Sequence, residues 1–356
     1  MSTAKRRGRP PRRPAAAAAA AAAAEPSVVS ETSAVEDTAD NEVGETVGEQ
    51  TFDLPSISAT DIFLGQSYTF HSEIPSIVRD DPTASITLGV DEAGRGPVLG
   101  PMVYGIAYCL TDYEKSLSKK GFDDSKKLTA QVRSDLLQEI CTAETELHAN
   151  VGWAVRVMSA RDISAGMLRP AGVGAYNLNA QAHDTTMNLI DEVLKKGVNV
   201  KEIFVDTVGP AATYQAKLQR RFPSTKVTVS KKADSLYPSV SVASICAKVT
   251  RDFALEEYFK LVSGSEPAPN TGSGYPSDPK TGIYLKGSMD SLFGWGPETR
   301  FSWSTAADML KKDAEVVDWP DNDDEGNGDI GAFMSASAAG NDIKHWFGKP
   351  VAAAEL

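Results

Sequence analysis

Four carboxylates stand in the same kind of setting along this chain. Asp91 and Glu92 close the apolar run 85–90, Asp206 ends the run 202–206, and Asp234 follows the run 226–230. Short runs rich in apolar and β-branched residues read as strands. In an α/β sheet the carboxyl ends of strands face a common crevice, so acids far apart in sequence can converge there. Several unpaired carboxylates a few ångströms apart repel one another, and the arrangement makes sense around hard divalent cations, Mg2+ or Mn2+. Two such ions about 3.5–4 Å apart can activate a water and stabilise the leaving oxygen of a phosphodiester.

Each residue also has a plainer reading. Asp206 follows an apolar run, where a carboxylate is costly unless partnered. Asp234 could cap the helix that follows it, and Asp91-Glu92 could be turn residues. They precede Gly94-Arg95-Gly96, a loop whose glycines let backbone N–H groups approach a ligand closely. Tyr275, between Gly274 and Pro276, is either a rigid flat surface for a ligand or a turn tyrosine packed on the core. Binding a polyanion needs local cations, and Lys126, Lys127, Lys231, Lys232, Lys248 and Arg251 are the candidates. Lys126, in Asp124-Ser125-Lys126, is the preferred one. Lys248 and Arg251 could equally form a solvated helix face or pair with Asp252 and Glu256. His183 lies in a helical pattern, and a lone histidine there reads as structural rather than catalytic.

The elements that must position these residues are legible as an α/β pattern over 84–312. The runs 85–90 and 102–110 form a hairpin around a Gly-rich turn, and 151–157, 202–206 and 226–230 are further strands. Residues 129–143 carry Val132, Leu136, Leu137 and Ile140 at the spacing of one helix face. Residues 177–196, closed by Gly197, and 239–262 are the other long helices.

Charge is divided unevenly among the regions. Residues 1–83 carry a net −6, residues 84–312 a net +2 and residues 313–356 a net −8, within a total of −12. No stretch approaches the ~20 apolar residues of a membrane helix. Three widely spaced cysteines, Cys109, Cys141 and Cys246, argue against a disulfide framework or a zinc site and for a reducing compartment. Residues 1–83, with the alanine run 15–24 and an acidic stretch after it, read as a disordered tail. Within it the basic stretch 5–13 serves as a nuclear-import signal, lies in an A·T-rich minor groove, or is only a solvated tail. Residues 313–356 read as an acidic tail with an apolar patch at 343–347. There Ile343, Trp346 and Phe347 have the spacing of a plug for an apolar pocket, as in sliding-clamp-binding peptides, although Gly340 stands where the usual glutamine would be.

The motifs together carry a resemblance. Asp91-Glu92-Ala93-Gly94-Arg95-Gly96-Pro97 resembles the signature of the type 2 ribonucleases H. The likeness runs on through Asp124-Ser125-Lys126, Tyr176-Asn177-Leu178-Asn179, His183-Asp184-Thr185 and Val205-Asp206-Thr207-Val208-Gly209. It continues through Lys232-Ala233-Asp234-Ser235-Leu236-Tyr237-Pro238, the stretch 244–252 and Gly272-Ser273-Gly274-Tyr275-Pro276-Ser277-Asp278. It covers about 84–305, and its wording is most similar to the catalytic subunit of the eukaryotic, fungal-like enzyme. The resemblance implies a ribonuclease H-like α/β fold, a mixed five-stranded sheet flanked by helices with a mainly helical C-terminal part. It implies an endonuclease that hydrolyses the RNA strand of RNA–DNA hybrids and incises duplex DNA 5′ of single ribonucleotides, leaving 3′-hydroxyl and 5′-phosphate ends.

By the same resemblance Asp91, Glu92, Asp206 and Asp234 are catalytic metal ligands for two Mg2+ or Mn2+ ions. The backbone of Gly94, Arg95 and Gly96 reads the 2′-hydroxyl, Tyr275 stacks at the RNA-to-DNA junction, and Lys126 contacts substrate. Partners implied are two non-catalytic subunits of a heterotrimer, and the compartment is the nucleus. The rival readings are a non-catalytic nucleic-acid-binding protein and a DNA-specific nuclease on the same fold, the latter having no use for a 2′-hydroxyl reader.

Overall fold

The computed structural model describes residues 52–122, 127–170, 172–264 and 268–316. The chain divides into two units, Met1–Ala39 and Asp40–Leu356, and all described residues lie in the second. Order begins earlier than the sequence pattern indicates. Helix α1 (Ala59–Phe63), strand β1 (Tyr68–His71) and helix α2 (Ser76–Asp80) all fall within the stretch read as a disordered tail. That reading is corrected for 52–83. This stretch lacks long periodic runs of its own but borrows a partner, because β1 pairs antiparallel with a strand of the main sheet and Phe70 packs its ring 4.9 Å from that of Trp153.

The five strands and three long helices of the sequence reading recur, and shorter helices that it did not contain lie between them. Strands β2 (Ile86–Ala93) and β3 (Met102–Leu110) are followed by helices α3 (Glu114–Lys119), α4 (Ala130–Cys141) and α5 (Glu146–Asn150) and by strand β4 (Gly152–Met158). Then come α6 (Ala160–Met167), α7 (Leu178–Lys195), β5 (Val200–Asp206), α8 (Ala211–Arg221) and β6 (Lys226–Ser230). A 3-10 turn (Ala233–Ser235) leads into the long α9 (Pro238–Ser263), and α10 (Pro279–Ser288) and α11 (Ser304–Asp313) complete the described chain. Helix starts are set by local side chains, as at Thr129, which accepts from the amide of Val132, and Asn177, which accepts from that of Ala180.

The strands form one mixed sheet in the order β1-β4-β3-β2-β5-β6. The expected five-stranded sheet therefore gains a sixth strand, β1, at one edge. The sheet is antiparallel from β1 to β2 and parallel from β2 through β5 to β6. Strand alternation divides the core. Leu88, Val90, Tyr104, Ile106 and Val205 pack beneath α7 and α8, whereas Val103, Ala107, Trp153 and Val155 pack beneath α4 and α9. Burying each such aliphatic side chain contributes about 1.5–3 kcal/mol.

Helix α9 lies directly on the sheet because two strand positions lack side chains. A Cβ at Gly89 would stand 2.2 Å from the backbone of Ser239, and one at Gly105 would stand 2.4 Å from the carbonyl oxygen of Ala243. A separate small core of Val98, Leu99, Leu285, Trp295 and Ala306 joins the loop after β2 to α10 and α11.

Candidate active site

The sheet register brings the acids together. Across the parallel strands Val90 pairs with Val205, and Asp206 pairs with Ser230. Asp206 ends β5, and Asp91 stands one residue past the last β2–β5 pair. Asp91 and Glu92 are not turn residues, since β2 continues through both to Ala93, paired with β3. The chain leaving Ser230 reaches Asp234 within four residues. Lys232, in the left-handed region at φ 54°, turns the chain into the short 3-10 turn that carries Asp234 inward. Each aspartate is anchored through Oδ1 by a backbone N–H: Asp91 by Glu92 at 2.8 Å, Asp206 by Ala233 at 3.0 Å and Asp234 by Ser235 at 3.0 Å. The helix-capping reading of Asp234 fails, because the N-cap of α9 is Tyr237 and Asp234 bonds within its own turn, only 5% exposed.

The electrostatics are those of a charge cluster short of cations. Burial pushes the carboxyl of Asp91 up to about 7, helped by the charges of Asp206 and Asp234 and opposed by a hydrogen bond from Ser244 of α9. Burial and the charge of Asp91 push Glu92 up to about 8, against the pull of Arg95. The donors are all hard oxygens, which suits Mg2+ or Mn2+. Among the described residues no three Asp, Glu, His or Cys side chains are arranged so that they could hold an ion by themselves. An open set of carboxylates is what Mg2+ accepts, since it keeps waters and binds substrate phosphates to complete its shell.

Beside the acids the loop after β2 meets the loop carrying Tyr275. The amides of Val98 and Leu99 donate to the carbonyl of Gly274 at 2.8 and 3.3 Å. Gly94 has φ +80°, and a Cβ there would stand 2.7 Å from the carbonyl oxygen of Pro101. A Cβ on Gly96 would stand 2.8 Å from the ring of Tyr275, so the tyrosine packs directly against the glycine backbone. The guanidinium of Arg95 donates to the side chain of Asn179.

A family model described as Ribonuclease HII matches residues 88–306. The chain belongs to the ribonuclease HII family. It is 49% identical over 304 residues to a ribonuclease H2 subunit of Neurospora crassa, covering 83% of this chain and 94% of the relative. Among solved structures, ribonuclease H2 from Pyrococcus horikoshii is similar with a TM-score of 0.52 and 28% identity, covering 64% of this chain and 97% of that one. The ribonuclease HII of Archaeoglobus fulgidus, solved in complex with PCNA, is similar with a TM-score of 0.50 and 28% identity, covering 61% and 95%.

Two residues that hold this ribonuclease HII site together escaped the sequence reading. Arg300 is fully buried, with 0% exposure, and donates from Nε to the carbonyl of Gly100 at 3.0 Å. Its two terminal nitrogens reach the carbonyls of Arg95 at 3.1 Å and Gly94 at 2.6 Å. Its guanidinium lies 4.7 Å over the ring of Trp303, whose Nε1 donates to the carbonyl of Gly96 at 3.0 Å. Burial and the nearby Arg251 lower its pKa to about 9. With the carbonyls of the loop engaged from behind, its amide edge is turned the other way. A single arginine 200 residues downstream carries no local signal of this role.

The other candidates are distributed differently. Arg251 is an internal strut, its side chain 14% exposed, donating to Asp252 at 3.0 Å and to the carbonyl of Ser273 at 3.4 Å. Lys231 and Lys232 are exposed next to the acid cluster, Lys127 is exposed, and Lys248 is half-buried on α9. His183 stacks on Tyr214 at 4.0 Å and its Nε2 stands 3.3 Å from the carbonyl of Val208, with its pKa lowered by burial. That is the structural role anticipated for it. Lys126, the basic stretch 5–13 and Ile343, Trp346 and Phe347 lie outside the described residues.

Proposed function

We propose that this chain is the catalytic subunit of a metal-dependent ribonuclease H complex. It hydrolyses the RNA strand of RNA–DNA hybrids and incises duplex DNA 5′ of an embedded ribonucleotide, leaving 3′-hydroxyl and 5′-phosphate ends. The observation that carries this reading is the convergence of Asp91, Glu92, Asp206 and Asp234 beside a glycine loop packed against Tyr275. Asp91, Glu92, Asp206 and Asp234 would hold two Mg2+ or Mn2+ ions, which supply water activation and charge stabilisation on the scissile phosphate. Ser244 orients Asp91, and Arg95 favours the ionised form of Glu92.

Only the 2′-hydroxyl separates a ribonucleotide from its deoxy counterpart, so selectivity needs polar groups fixed at one position. The backbone of Gly94, Arg95 and Gly96 supplies them, held from behind by Arg300 and Trp303. Tyr275 offers its ring to the sugar at the RNA-to-DNA junction. Lys126, Lys231 and Lys232 are the phosphate contacts of this reading. Its partners are two non-catalytic subunits, in keeping with the fungal relative, which is itself one subunit of its enzyme. A sliding clamp engages Ile343, Trp346 and Phe347, and the basic stretch 5–13 directs the protein to the nucleus.

The test is a duplex DNA carrying one ribonucleotide, incubated with the full chain and its partner subunits. Incision 5′ of the ribonucleotide in Mg2+, absent with chelator, is expected. Asp91→Asn and Asp206→Asn should lower the rate by on the order of a thousandfold while substrate binding is largely kept. Incision that survives chelator or either substitution sinks the metal assignment.

A further inference from the structure

Among the described residues outside the acid cluster, one more carboxylate is buried, at a position that serves no part of the reaction described above. Glu298 is 7% exposed, and its Oε2 accepts from the hydroxyl of Tyr258 on α9 at 2.7 Å. Its Oε1 accepts from Tyr284 on α10 at 3.3 Å and from the hydroxyl of Thr299 at 3.3 Å. The seat is shaped around the carboxylate, since a Cβ on Gly296 would stand 2.4 Å from Oε2 and 2.5 Å from the Tyr258 hydroxyl. Burying a carboxylate is costly unless its oxygens are hydrogen-bonded, and here donors from two helices meet it.

The backbone of the same segment grips the ribonucleotide-reading loop. Gly100 donates its amide to the carbonyl of Glu298 at 2.7 Å, Arg300 donates its amide to the carbonyl of Val98 at 2.9 Å, and Leu99 and Thr299 form an antiparallel bridge. Two residues beyond Glu298, the side chain of Arg300 reaches the carbonyls of Gly94 and Arg95. A displacement of Glu298 is therefore handed through two residues of chain to the loop itself.

We propose that Glu298 is a positioning residue: seated by Tyr258 and Tyr284, it anchors the segment 296–300 to α9 and α10 and thereby sets the placement of the Gly94–Gly96 backbone against the substrate. This deepens the functional reading above and rests on it for its kinetic consequence. A misplacement of about 1 Å can cost on the order of a hundredfold in rate even when made away from the reacting atoms. Phosphate contacts elsewhere hold the substrate, so the loss falls on kcat rather than KM.

The experiment uses the full chain with its partner subunits and compares wild type with Glu298→Ala, Glu298→Gln and Tyr258→Phe well below their melting temperatures. It measures kcat and KM on a duplex with one ribonucleotide and amide exchange at Val98, Leu99 and Gly100. Glu298→Ala should lower kcat by about tenfold or more with KM changed less than about twofold, and Gly100 exchange should quicken by a similar factor. Glu298→Gln, which keeps the shape and one acceptor, should recover most of the rate, and Tyr258→Phe should lose part of it. A folded Glu298→Ala with wild-type kcat and exchange overturns the proposal. Should that variant not fold, an unchanged kcat and Gly100 exchange in Tyr258→Phe overturns it equally. If wild type itself fails to incise, the functional reading falls, and Gly100 exchange still judges the anchor.

Discussion

At the scale of single residues the site is a trade between repulsion and selectivity. Asp91 and Glu92 titrate near 7 and 8 in the fold because burial and neighbouring acids disfavour their charges, whereas in the unfolded chain they lose protons near 4. Between those values the folded state binds more protons than the unfolded one, so their contribution to stability falls as pH rises from about 5 to 8. In the proposed function a divalent ion would replace the protons. The melting temperature in chelator should therefore fall over that interval relative to Asp91→Asn, and Mg2+ should remove most of the difference. A chelated wild type that parallels the variant at every pH would show that the cluster carries no such charge.

Tyr275 makes a second prediction at this scale. Its ring rests on Gly96, which in the proposed function reads the 2′-hydroxyl. Aromatic stacking on a nucleotide contributes about 1–3 kcal/mol, so Tyr275→Ala should weaken single-ribonucleotide incision by about tenfold or more. A long hybrid offers many equivalent registers and should lose less. Equal losses on the two substrates would remove the tyrosine from the junction.

At the scale of elements the decisive contact is α9 on the sheet. It brings Ser244 to Asp91 and Arg251 to the loop of Ser273, and it depends on strand glycines. Gly89→Ala places a methyl group 2.2 Å from the backbone of Ser239, an overlap that no flexible side chain can relieve. The variant should lose on the order of 3 kcal/mol of stability, measured by denaturant unfolding, and its activity should fall with the displaced Ser244. A wild-type midpoint would mean that the helix has room to shift. The opposite edge of the sheet is handled by side chains, with Gln219 and Gln215 of α8 accepting the amides of Val227 and Val229 on β6, so an otherwise open strand edge is closed. The five strands and the three long helices were legible here because period-two and 3.6-residue patterns and capping residues act over a few positions. Helices of five to eleven residues, such as α5 and α8, gave too short a pattern to read. Strand β1 was not, since its stability comes from pairing with β4 and not from its own four residues.

At the scale of the molecule, residues 52–83 are part of the body and not a tail. Leu54 and Val78 are buried, the side chain of Arg156 donates to Thr69 at 2.9 Å, and Ser56 meets Thr250 of α9 at 2.9 Å in the interior. Burial of those two aliphatic side chains alone is worth ~4 kcal/mol. Removing residues 1–83 should therefore lower the melting temperature by on the order of ten degrees relative to removing 1–51, and equal melting would return the segment to accessory status. The sequence by itself determined the four acids as candidates and the α/β pattern that gathers strand ends, because these rest on residue chemistry and short-range periodicity, whereas the glycine loop and Tyr275 were singled out by the family resemblance. Only the tertiary structure decided that Asp234 turns inward rather than capping a helix, that Arg251 is a strut, and that Arg300, Trp303 and Glu298 brace the loop. Those roles are contacts made across as many as 207 positions, and a buried arginine or glutamate differs from an exposed one only in what the fold places around it.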